Sequence, residues 1–387
     1  MRGVWLTTVS RLDWPPVGSI IASTPESRIT QQKLALIAKL DNLQRLGINT
    51  VFFQAKPDGT ALWRSDILPW SDMLTGKIGE YPGYDPLQFM LDEAHKRGMK
   101  VHAWFNPYRV SVNTKPSTIA ELNNTLTQVP ASVFVLHRNW IRTASDRFVL
   151  DPGIPEARDW ITSIVAEVVQ NYPIDGVQFD DYFYTETASS PLNDNETFRR
   201  YGQGYASKGD WRRHNTQQLI AQVSTTIKKL NPNVEFGVSP AGVWRNRSHD
   251  PAGSDTRGAA AYDESYADTR SWVQQGLLDY IAPQIYWPFA RDAARYDVLA
   301  NWWAEVVKPT HTRLYIGVAL YKVGEPSKNE PDWTVDGGVP ELKKQLDLNE
   351  TLPQIQGTIL FRENNLNQPQ TRQAVNYLRS RWGQPQS

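Results

Sequence analysis

The chain has 387 residues, of which 40% are hydrophobic and 21% are charged, a composition that excludes a disordered polymer and a membrane-spanning protein. Lysine plus arginine equals aspartate plus glutamate at 41 each, so the chain lacks the positive field of a nucleic-acid-binding protein. The absence of cysteine excludes disulfides, thiolate metal sites and thiol nucleophiles.

The first residues, MRGVWL at positions 1–6, run directly into a strand-like pattern. They lack the basic start, apolar centre and small-residue cleavage site of a signal peptide. No stretch approaches the roughly 18 consecutive apolar residues of a membrane span. We therefore expect either a cytoplasmic protein or a mature domain whose export segment has been removed.

The hydrophobic period switches repeatedly between two and 3.6, which predicts alternating strands and helices. The predicted strands cover residues 3–9, 50–55, 100–105, 175–180, 235–239, 280–286, 314–319 and 358–361. Helical patterns lie between them, around residues 36–43, 87–94, 160–168, 219–230, 264–275, 293–307, 340–348 and 369–381. Asp85-Pro86 is a typical helix start, while Gly47, Gly98 and Gly276 stand where helix-ending glycines belong.

Eight strands alternating with eight helices predict an α/β fold, a closed (β/α)₈ barrel of the TIM type that forms one domain over residues 1–387. The strand-to-helix links are long, with insertions at about 106–152, 182–210, 240–263 and 320–337. These links lie at the C-terminal face, where such barrels place their chemistry. A doubly wound open sheet is the alternative, but its Gly-x-Gly-x-x-Gly phosphate fingerprint is absent after the first strand.

Polar residues at strand ends are the first candidates for a site, because buried parallel strands otherwise read as apolar runs. Side-chain alternation places three pairs on common faces: Gln54 with Lys56, His102 with Asn106, and Gln284 with Tyr286. We expect these pairs to line one pocket. Asp58 follows the second strand at the same end of the barrel.

The fourth predicted strand supplies the strongest catalytic candidates. Alternation turns Val177 and Phe179 toward the helices and leaves Gln178 and Asp180 inside. Adjacent carboxylates among aromatic residues raise each other's pKa, which suits a proton donor, so Asp180 and Asp181 are predicted to be catalytic. Alternation points Asp181 the other way unless the chain bends, and an aspartate here can also simply order the following turn.

Glycosidic cleavage normally takes two carboxyl groups. Glu363, just after the eighth strand, is the predicted partner of Asp180, although it can equally form a surface ion pair with Arg362. Asp58, Asp263 and Glu264 are its rivals, since position at a strand end is the only argument for any of them.

The aromatic residues suggest a sugar substrate, because flat apolar rings with polar edges stack well against sugar rings. The chain has 15 tryptophans, and six fall in or beside links on the predicted active face: Trp14, Trp63, Trp70, Trp244, Trp287 and Trp333. Arg245 in the same region offers a contact for an acidic group. For any single tryptophan, packing of a long loop is the competing explanation.

Other chemistries lack their motifs. The six histidines form no His-x-His or His-x-x-x-His pair, and no Gly-x-Ser-x-Gly turn or Walker loop occurs. We predict no metal and no cofactor.

Five segments give the chain a resemblance to a known family. They are RGVWLTTV (2–9), LGINTVFFQ (46–54), HAWFNPY (102–108), DGVQFDDY (175–182) and DYIAPQIYW (279–287). Together they resemble the bacterial glycosyl-hydrolase-like family ten, in particular members found in Gram-negative envelopes at sites of division. Trp5 and Tyr108 within these segments, and Tyr321 after the seventh strand, complete the expected substrate-binding set.

The resemblance implies a barrel hydrolase acting on peptidoglycan glycan strands stripped of stem peptides. It also implies a periplasmic, outer-membrane lipoprotein whose removed lipid anchor accounts for the missing cysteine, with partners in the division machinery. Segment 175–182 is similar also to the fourth-strand signature of chitinase-like enzymes, whose acid glutamate would fall at Tyr182. A non-catalytic glycan-binding barrel and a lytic enzyme that makes anhydro ends therefore stay open as alternatives.

Overall fold

Eight parallel strands close into a barrel in the computed structural model of the chain, which describes residues 1–383. The strands are β1 (Arg2–Leu6), β2 (Thr50–Lys56), β3 (Lys100–Phe105), β6 (Gly176–Phe179), β7 (Glu235–Val238), β8 (Tyr280–Ile281), β9 (Arg313–Val318) and β10 (Ile355–Leu360). Strands β4 (Ile141–Ala144) and β5 (Arg147–Leu150) form a separate antiparallel hairpin. Pairing of β1 with both β2 and β10 closes the barrel and confirms the predicted (β/α)₈ class.

Helices follow the barrel strands as the sequence predicts. They are α1 (Pro25–Leu46), α2 (Pro86–Lys96), α3 (Pro116–Asn123), α4 (Val133–Leu136), α5 (Pro155–Asn171), α6 (Asn195–Tyr201), α7 (Lys208–Leu230), α8 (Ala261–Glu264), α9 (Thr269–Gln274), α10 (Tyr296–Val307), α11 (Val339–Thr351) and α12 (Arg372–Trp382). Short 3₁₀ helices cover Val9–Arg11, Val17–Ile21, Asn124–Thr127, Arg138–Trp140, Asp292–Ala294, Leu320–Lys322, Pro331–Gly338, Glu363–Asn367 and Pro369–Thr371. None of the helices within residues 1–383 is long and apolar enough to cross a membrane.

Helix boundaries follow local capping chemistry. The Thr24 hydroxyl accepts from the Ser27 amide at the start of α1, and the Asp85 carboxylate accepts from the Gln88 amide at the start of α2. Helix α1 ends at Gly47, whose φ of 90° lies in the left-handed region that favours glycine. The helix start predicted at Asp85-Pro86 and the helix end predicted at Gly47 are confirmed.

The strands lie between two apolar layers, one outside the barrel and one inside it. Outward-facing strand residues pack against the helices, whereas Trp5, Phe52, Trp104, Tyr280, Ala282, Tyr315 and Ile359 fill the barrel interior. Glycines make room for these large interior groups. A Cβ on Gly176 would lie 2.3 Å from the His102 ring, and one on Gly237 would lie 2.3 Å from the Tyr280 ring. The interior is thus packed around aromatic and imidazole rings up to the C-terminal mouth.

The structure corrects three predicted elements. Strand β1 ends at Leu6 rather than residue 9, because Val9–Arg11 turns into a 3₁₀ helix. Strand β8 covers only Tyr280–Ile281, since Pro283 has no amide hydrogen to donate, and pairing resumes as single bridges at Gln284. The predicted helix at 264–275 is two short helices, α8 and α9.

The predicted insertions contain structure of their own. Residues 106–152 contain α3, α4 and the β4–β5 hairpin, and residues 182–210 contain α6. Each leaves the carboxyl end of a barrel strand, so both build the rim around the C-terminal mouth.

Candidate active site

A cavity of 260 Å³ opens at the C-terminal ends of the barrel strands. Its lining residues come from β1, β3 and β6 and from the segments that leave β6, β7, β8, β9 and β10. They are Trp5, Trp104, Gln178, Asp180, Asp181, Tyr182, Ser239, Gln284, Tyr286, Tyr321 and Phe361. Seven of these were predicted from the sequence: Trp5, Gln178, Asp180, Asp181, Gln284, Tyr286 and Tyr321.

Asp180 directly follows β6 and is 4% exposed. Its Oδ2 accepts from the indole Nε1 of Trp104 at 3.0 Å, and its Oδ1 accepts from the backbone amide of Tyr182 at 3.1 Å. Burial and, after it, the neighbouring Asp181 together raise the pKa of Asp180 to about 7, although the two hydrogen bonds act to lower it. A carboxyl group with this pKa can carry a proton at neutral pH and release it.

Asp181 also lines the cavity, because the chain bends after Phe179 instead of continuing the alternation of the strand. The Nε2 of Gln284 donates to Oδ1 of Asp181 at 3.2 Å and to the Ser239 carbonyl at 3.0 Å. Burial raises the pKa of Asp181, while this hydrogen bond from Gln284 opposes the rise. The bend brings two carboxyl groups to one cavity.

Arg109 provides a buried positive charge that acts on both carboxyl groups. It is 8% exposed, and its guanidinium carbon lies 4.6 Å from the ring centre of Tyr182. Its charge lowers the pKa of both Asp180 and Asp181, against the larger effect of burial. Arg109 therefore limits how far these carboxyl groups hold their protons.

A chain of hydrogen bonds runs below the cavity and orients Trp5 and Gln178, which form its floor. Trp5 Nε1 donates to Oε1 of Gln178 at 2.6 Å, and Gln178 Nε2 donates to the Tyr280 hydroxyl at 3.2 Å. The Tyr280 hydroxyl lies 2.9 Å from Nδ1 of His102, and burial lowers the pKa of His102 to about 3. When Nε2 carries the hydrogen of the neutral imidazole, Nδ1 accepts the Tyr280 proton. Gln178 and Tyr280 thus link Trp5 to His102 through the barrel interior.

Aromatic rings form one wall of the cavity. Tyr286 stacks on Phe361 with ring centres 5.7 Å apart at 28°, and Tyr321 meets both rings nearly at right angles. Trp5 meets Phe361 edge-on at 5.8 Å. This wall presents ring surface beside the two carboxyl groups.

Glu363 lies outside this cavity, contrary to the predicted position at the barrel mouth. Its carboxylate accepts from Lys39 Nζ on α1 at 2.6 Å and from Asn367 Nδ2 at 3.3 Å, and the side chain is fully buried there. Its neighbour Arg362 pairs with Asp13, at 2.6 Å, rather than with Glu363. The 3₁₀ helix Glu363–Asn367 turns the side chain toward the helical layer, so Glu363 is not placed to share a substrate with Asp180.

His102 lies at the opposite end of the barrel from the predicted pocket. It is the third residue of β3, and it lines a cavity at the N-terminal mouth together with Glu235 and Arg313. Its Nε2 lies 3.7 Å from the Glu235 carboxylate. Alternation correctly placed His102 inside the barrel but could not measure its depth, and the residue two positions on, Trp104, is the one that reaches the cavity lined by Asp180.

Four polar residues predicted to bind substrate near β2 and β3 are engaged in structure instead. Gln54 Oε1 accepts from the amides of the chain leaving β1, and Lys56 Nζ donates to the Asn106 carbonyl at 2.7 Å. Asp58 accepts from Thr60 and lines a neighbouring cavity of 210 Å³. Asn106 Oδ1 accepts from the Arg109 amide. The register of the β2–β3 pairing shifts between Gln54 and Lys56. Because of this shift, the two side chains do not share one face of the strand, as alternation predicts that they would.

The remaining predicted binding residues pack the loops. Tyr108 is buried in the outer core, and Trp244 donates to Asp268 and stacks on Trp302. Arg245 pairs with Asp263 at 2.9 Å, and Trp287 is absent from the cavity lining. Trp14, Trp63 and Trp333, offered as loop platforms, are fully buried. The packing explanation holds for all of these tryptophans.

Four lining residues were not among the predicted site residues: Trp104, Tyr182, Ser239 and Phe361. Trp104 shares the interior face of β3 with His102, so alternation alone could have found it. Tyr182, Ser239 and Phe361 lie after their strands end, where no periodic signal applies. Within residues 1–383, no group of three or more histidine, aspartate or glutamate side chains could hold a metal ion.

Comparison with known proteins agrees with this barrel. The family model described as Glycosyl hydrolase-like 10 matches residues 1–335. Glycosyl hydrolase DigH of Escherichia coli O6:H1 (strain CFT073) is 80% identical over 383 residues, covering 99% of this chain and 87% of that protein. Glycosyl hydrolase YngK of Bacillus subtilis (strain 168) is 42% identical over 370 residues, covering 95% and 69%.

A solved structure shares the fold at low sequence identity. The PgaB (BpsB) glycoside hydrolase domain of Bordetella bronchiseptica has a TM-score of 0.52 at 15% identity, covering 100% of this chain and 99% of that one. This likeness bears on the fold alone. The family match and the two relatives show that the chain belongs to the glycosyl hydrolase-like 10 family of barrel glycosidases.

Proposed function

We propose that this glycosidase cleaves the glycan strands of peptidoglycan, with Asp180 as the proton donor. The observation that carries the proposal is the buried Asp180 carboxyl group, whose pKa is raised to about 7 beside a second carboxyl group in an aromatic-walled cavity. Breaking a glycosidic bond requires protonation of the leaving oxygen and stabilisation of an oxocarbenium-like transition state.

In this proposal, two different carboxyl groups of the cavity carry out these two tasks. Asp180 keeps its proton near neutral pH because water is excluded and Asp181 repels its ionised form. Asp181 receives the Gln284 hydrogen bond, which favours its charged form and suits it to face positive charge on the sugar ring. Because Glu363 faces α1, Asp181 is the proposed partner of Asp180.

The proposed substrate is an N-acetylated aminosugar polymer. The rings of Trp5, Tyr286, Tyr321 and Phe361 offer apolar surface for a sugar ring, and Gln178 and Gln284 offer amides beside it. The choice of glycan strands stripped of stem peptides depends on the sequence resemblance of the five segments described above. The same resemblance supports a periplasmic place in the cell envelope through an outer-membrane lipid anchor, and a link to cell division.

Asp180→Asn is the direct test. Wild-type protein should release soluble fragments from peptidoglycan sacculi, and the variant should lose roughly 10²–10⁴-fold in rate, because an amide cannot donate the proton. Asp92→Asn is the matched control, since Asp92 is exposed on α2 and far from the barrel mouth. Equal release by wild type and Asp180→Asn would remove Asp180 from the mechanism.

The same assay separates the alternatives. Retention on sacculi without soluble fragments, across a range of pH and ion content, would identify a glycan-binding barrel. Anhydro termini on the products, measured by mass spectrometry, would identify a lytic enzyme. Chitin oligomers incubated in parallel show whether an uncharged N-acetylglucosamine polymer is also cut.

A further inference from the structure

The described chain contains a second, larger cavity that takes no part in the site above. It has a volume of 570 Å³ and lies between the two long insertions that follow β3 and β6. Its lining residues are Asn139, Trp140, Arg142, Ile154, Glu156, Glu196, Thr197, Arg199, Arg200 and Tyr201. The volume falls within the roughly 300–1,000 Å³ typical of small-molecule sites.

A buried aspartate fixes the walls of this second cavity. Asp151 is fully buried, and its Oδ2 accepts from Thr197 Oγ1 at 2.6 Å and lies 3.3 Å from Arg142 Nε. Its backbone amide donates to the Trp140 carbonyl. Trp140 is further held by His137, which stacks on it with ring centres 3.7 Å apart. One carboxylate thus joins cavity residues from both insertions, so the walls are organised before any ligand arrives.

Four other charged side chains around this cavity are exposed and unpaired by other charges. Within residues 1–383, Arg199, Arg200, Glu156 and Glu196 form no ion pair and no side-chain hydrogen bond, although other charged side chains on the same rim are paired. The Arg200 guanidinium lies over the Tyr201 ring, 5.2 Å from its centre. Guanidinium groups suit a carboxylate ligand, and free carboxylates suit the hydroxyl and amide donors of a sugar. Trp140, Ile154 and Tyr201 add apolar surface between them.

From this arrangement we infer that the second cavity binds a carboxylate-bearing saccharide, apart from the site of bond cleavage. The carboxylate meets Arg199 and Arg200, and the sugar hydroxyls meet Glu156 and Glu196. The two insertions leave the carboxyl ends of β3 and β6, so the second cavity lies on the same side of the barrel as the site of bond cleavage. The choice of a saccharide over a peptide rests on the proposed function, whereas the site itself does not.

The test uses Asp180→Asn protein, in which cleavage is blocked, with three probes. These are an oligosaccharide of alternating N-acetylglucosamine and N-acetylmuramic acid, which carries carboxylates, a chitin oligomer of equal length, and a free stem peptide. Affinity is measured by calorimetry with and without the further changes Arg199→Gln and Arg200→Gln. Both side chains are exposed, so folding should be preserved. Arg372→Gln with Arg379→Gln on α12 removes the same charge from exposed positions elsewhere.

The Arg199 and Arg200 changes should weaken binding of the carboxylated oligosaccharide by about tenfold or more and that of chitin by less than about twofold. The α12 changes should affect neither. Unchanged affinity, or equal weakening for both oligosaccharides, would overturn the inference, and an effect on the peptide alone would overturn the saccharide assignment. Failure of wild-type protein to cut any polymer would refute the proposed function without touching this binding result.

Discussion

Asp180 shows how its surroundings change the chemistry of one residue. An exposed aspartate is ionised at neutral pH, but this one loses its water, faces Asp181 and receives only two hydrogen bonds. The neighbouring Arg109 acts in the opposite direction. The protonation of Asp180 is therefore a balance that both pH and single substitutions can move.

The pH dependence of activity should report this balance. Because a general acid works only when protonated, kcat/KM on a soluble oligosaccharide should fall as pH rises above about 7. Arg109→Met removes the charge that lowers the pKa of Asp180, so the alkaline limb should move to higher pH. Arg109→Lys keeps the charge and should keep the limb close to that of wild type. An alkaline limb at the same pH in wild type and in Arg109→Met would contradict the assignment of Asp180 as the general acid.

Stability should depend on the same proton. The folded-state pKa of Asp180 is raised to about 7, above the ~4 of an unfolded aspartate, so stability falls as pH rises between these two values and stays lower above pH 7. Asp180→Asn should therefore stabilise the protein at pH 8, by up to ~4 kcal/mol, and have little effect at pH 4. Thermal unfolding at both pH values measures this, and an equal effect at pH 4 and pH 8 would point to packing instead.

At the scale of elements, strand ends decide which predicted residues reach the site. Strand β6 stops at Phe179, and the bend that follows brings Asp181 to the same cavity as Asp180. The register shift between Gln54 and Lys56 and the 3₁₀ helix after β10 do the reverse, because they turn predicted site residues into structural contacts. The interior strands also connect the cavity floor to the opposite mouth through Gln178, Tyr280 and His102.

Tyr280→Phe tests this interior connection. Loss of the hydroxyl leaves Gln178 Nε2 and His102 Nδ1 without their partner and should cost about 1–3 kcal/mol of unfolding free energy. Gln178 can then rotate, so the Trp5 indole N–H signal in a ¹H–¹⁵N spectrum, assigned by its loss in Trp5→Phe, should shift. Tyr296→Phe removes a hydroxyl that bonds Asn349 instead, and the Trp5 signal should stay in place. An unmoved Trp5 signal in Tyr280→Phe would show that the floor is held by packing alone.

For the whole molecule, closure of the barrel separates a rigid interior from an elaborated rim. Every barrel strand pairs with two neighbours, whereas the β4–β5 hairpin lies outside the closed sheet and, beyond its own pairing, forms a single β-bridge, between Val149 and Arg109, within residues 1–383. Both cavities that we assign to ligands lie at the C-terminal rim of the barrel. The strands beneath the rim cannot slide past each other, because each is hydrogen-bonded on both sides.

Rates of amide hydrogen exchange should differ between the rigid barrel and its rim. Amides of β2 and β3, bonded within the closed sheet, should exchange more slowly than those of the β4–β5 hairpin, because the hairpin can open without disrupting the barrel. Mass spectrometry of peptides covering residues 50–56, 100–105 and 141–150 compares them directly. Equal protection in all three peptides would mean that hairpin and barrel open as one unit.

Much of this architecture follows from local pattern. Alternating periods, Asp85 and Gly47 at helix ends, and long links after strands predict the barrel and its functional face, because periodicity and capping depend on near neighbours. The interior position of Gln178 and Asp180 follows from the same alternation. Seven of the predicted site residues line the cavity, although Asp181 does so through the bend after β6, and Trp5 and Tyr321 were expected from the family resemblance.

How deep a side chain lies in the barrel, and where it points after its strand ends, depend on the assembled barrel. His102 and Trp104 share one face of β3, yet one lies at the N-terminal mouth and the other beside Asp180. Glu363 ends against Lys39, a residue 324 positions away in the chain. Alternation describes a side chain relative to its own strand, whereas bends, register shifts and distant partners arise only when all eight strands pack together.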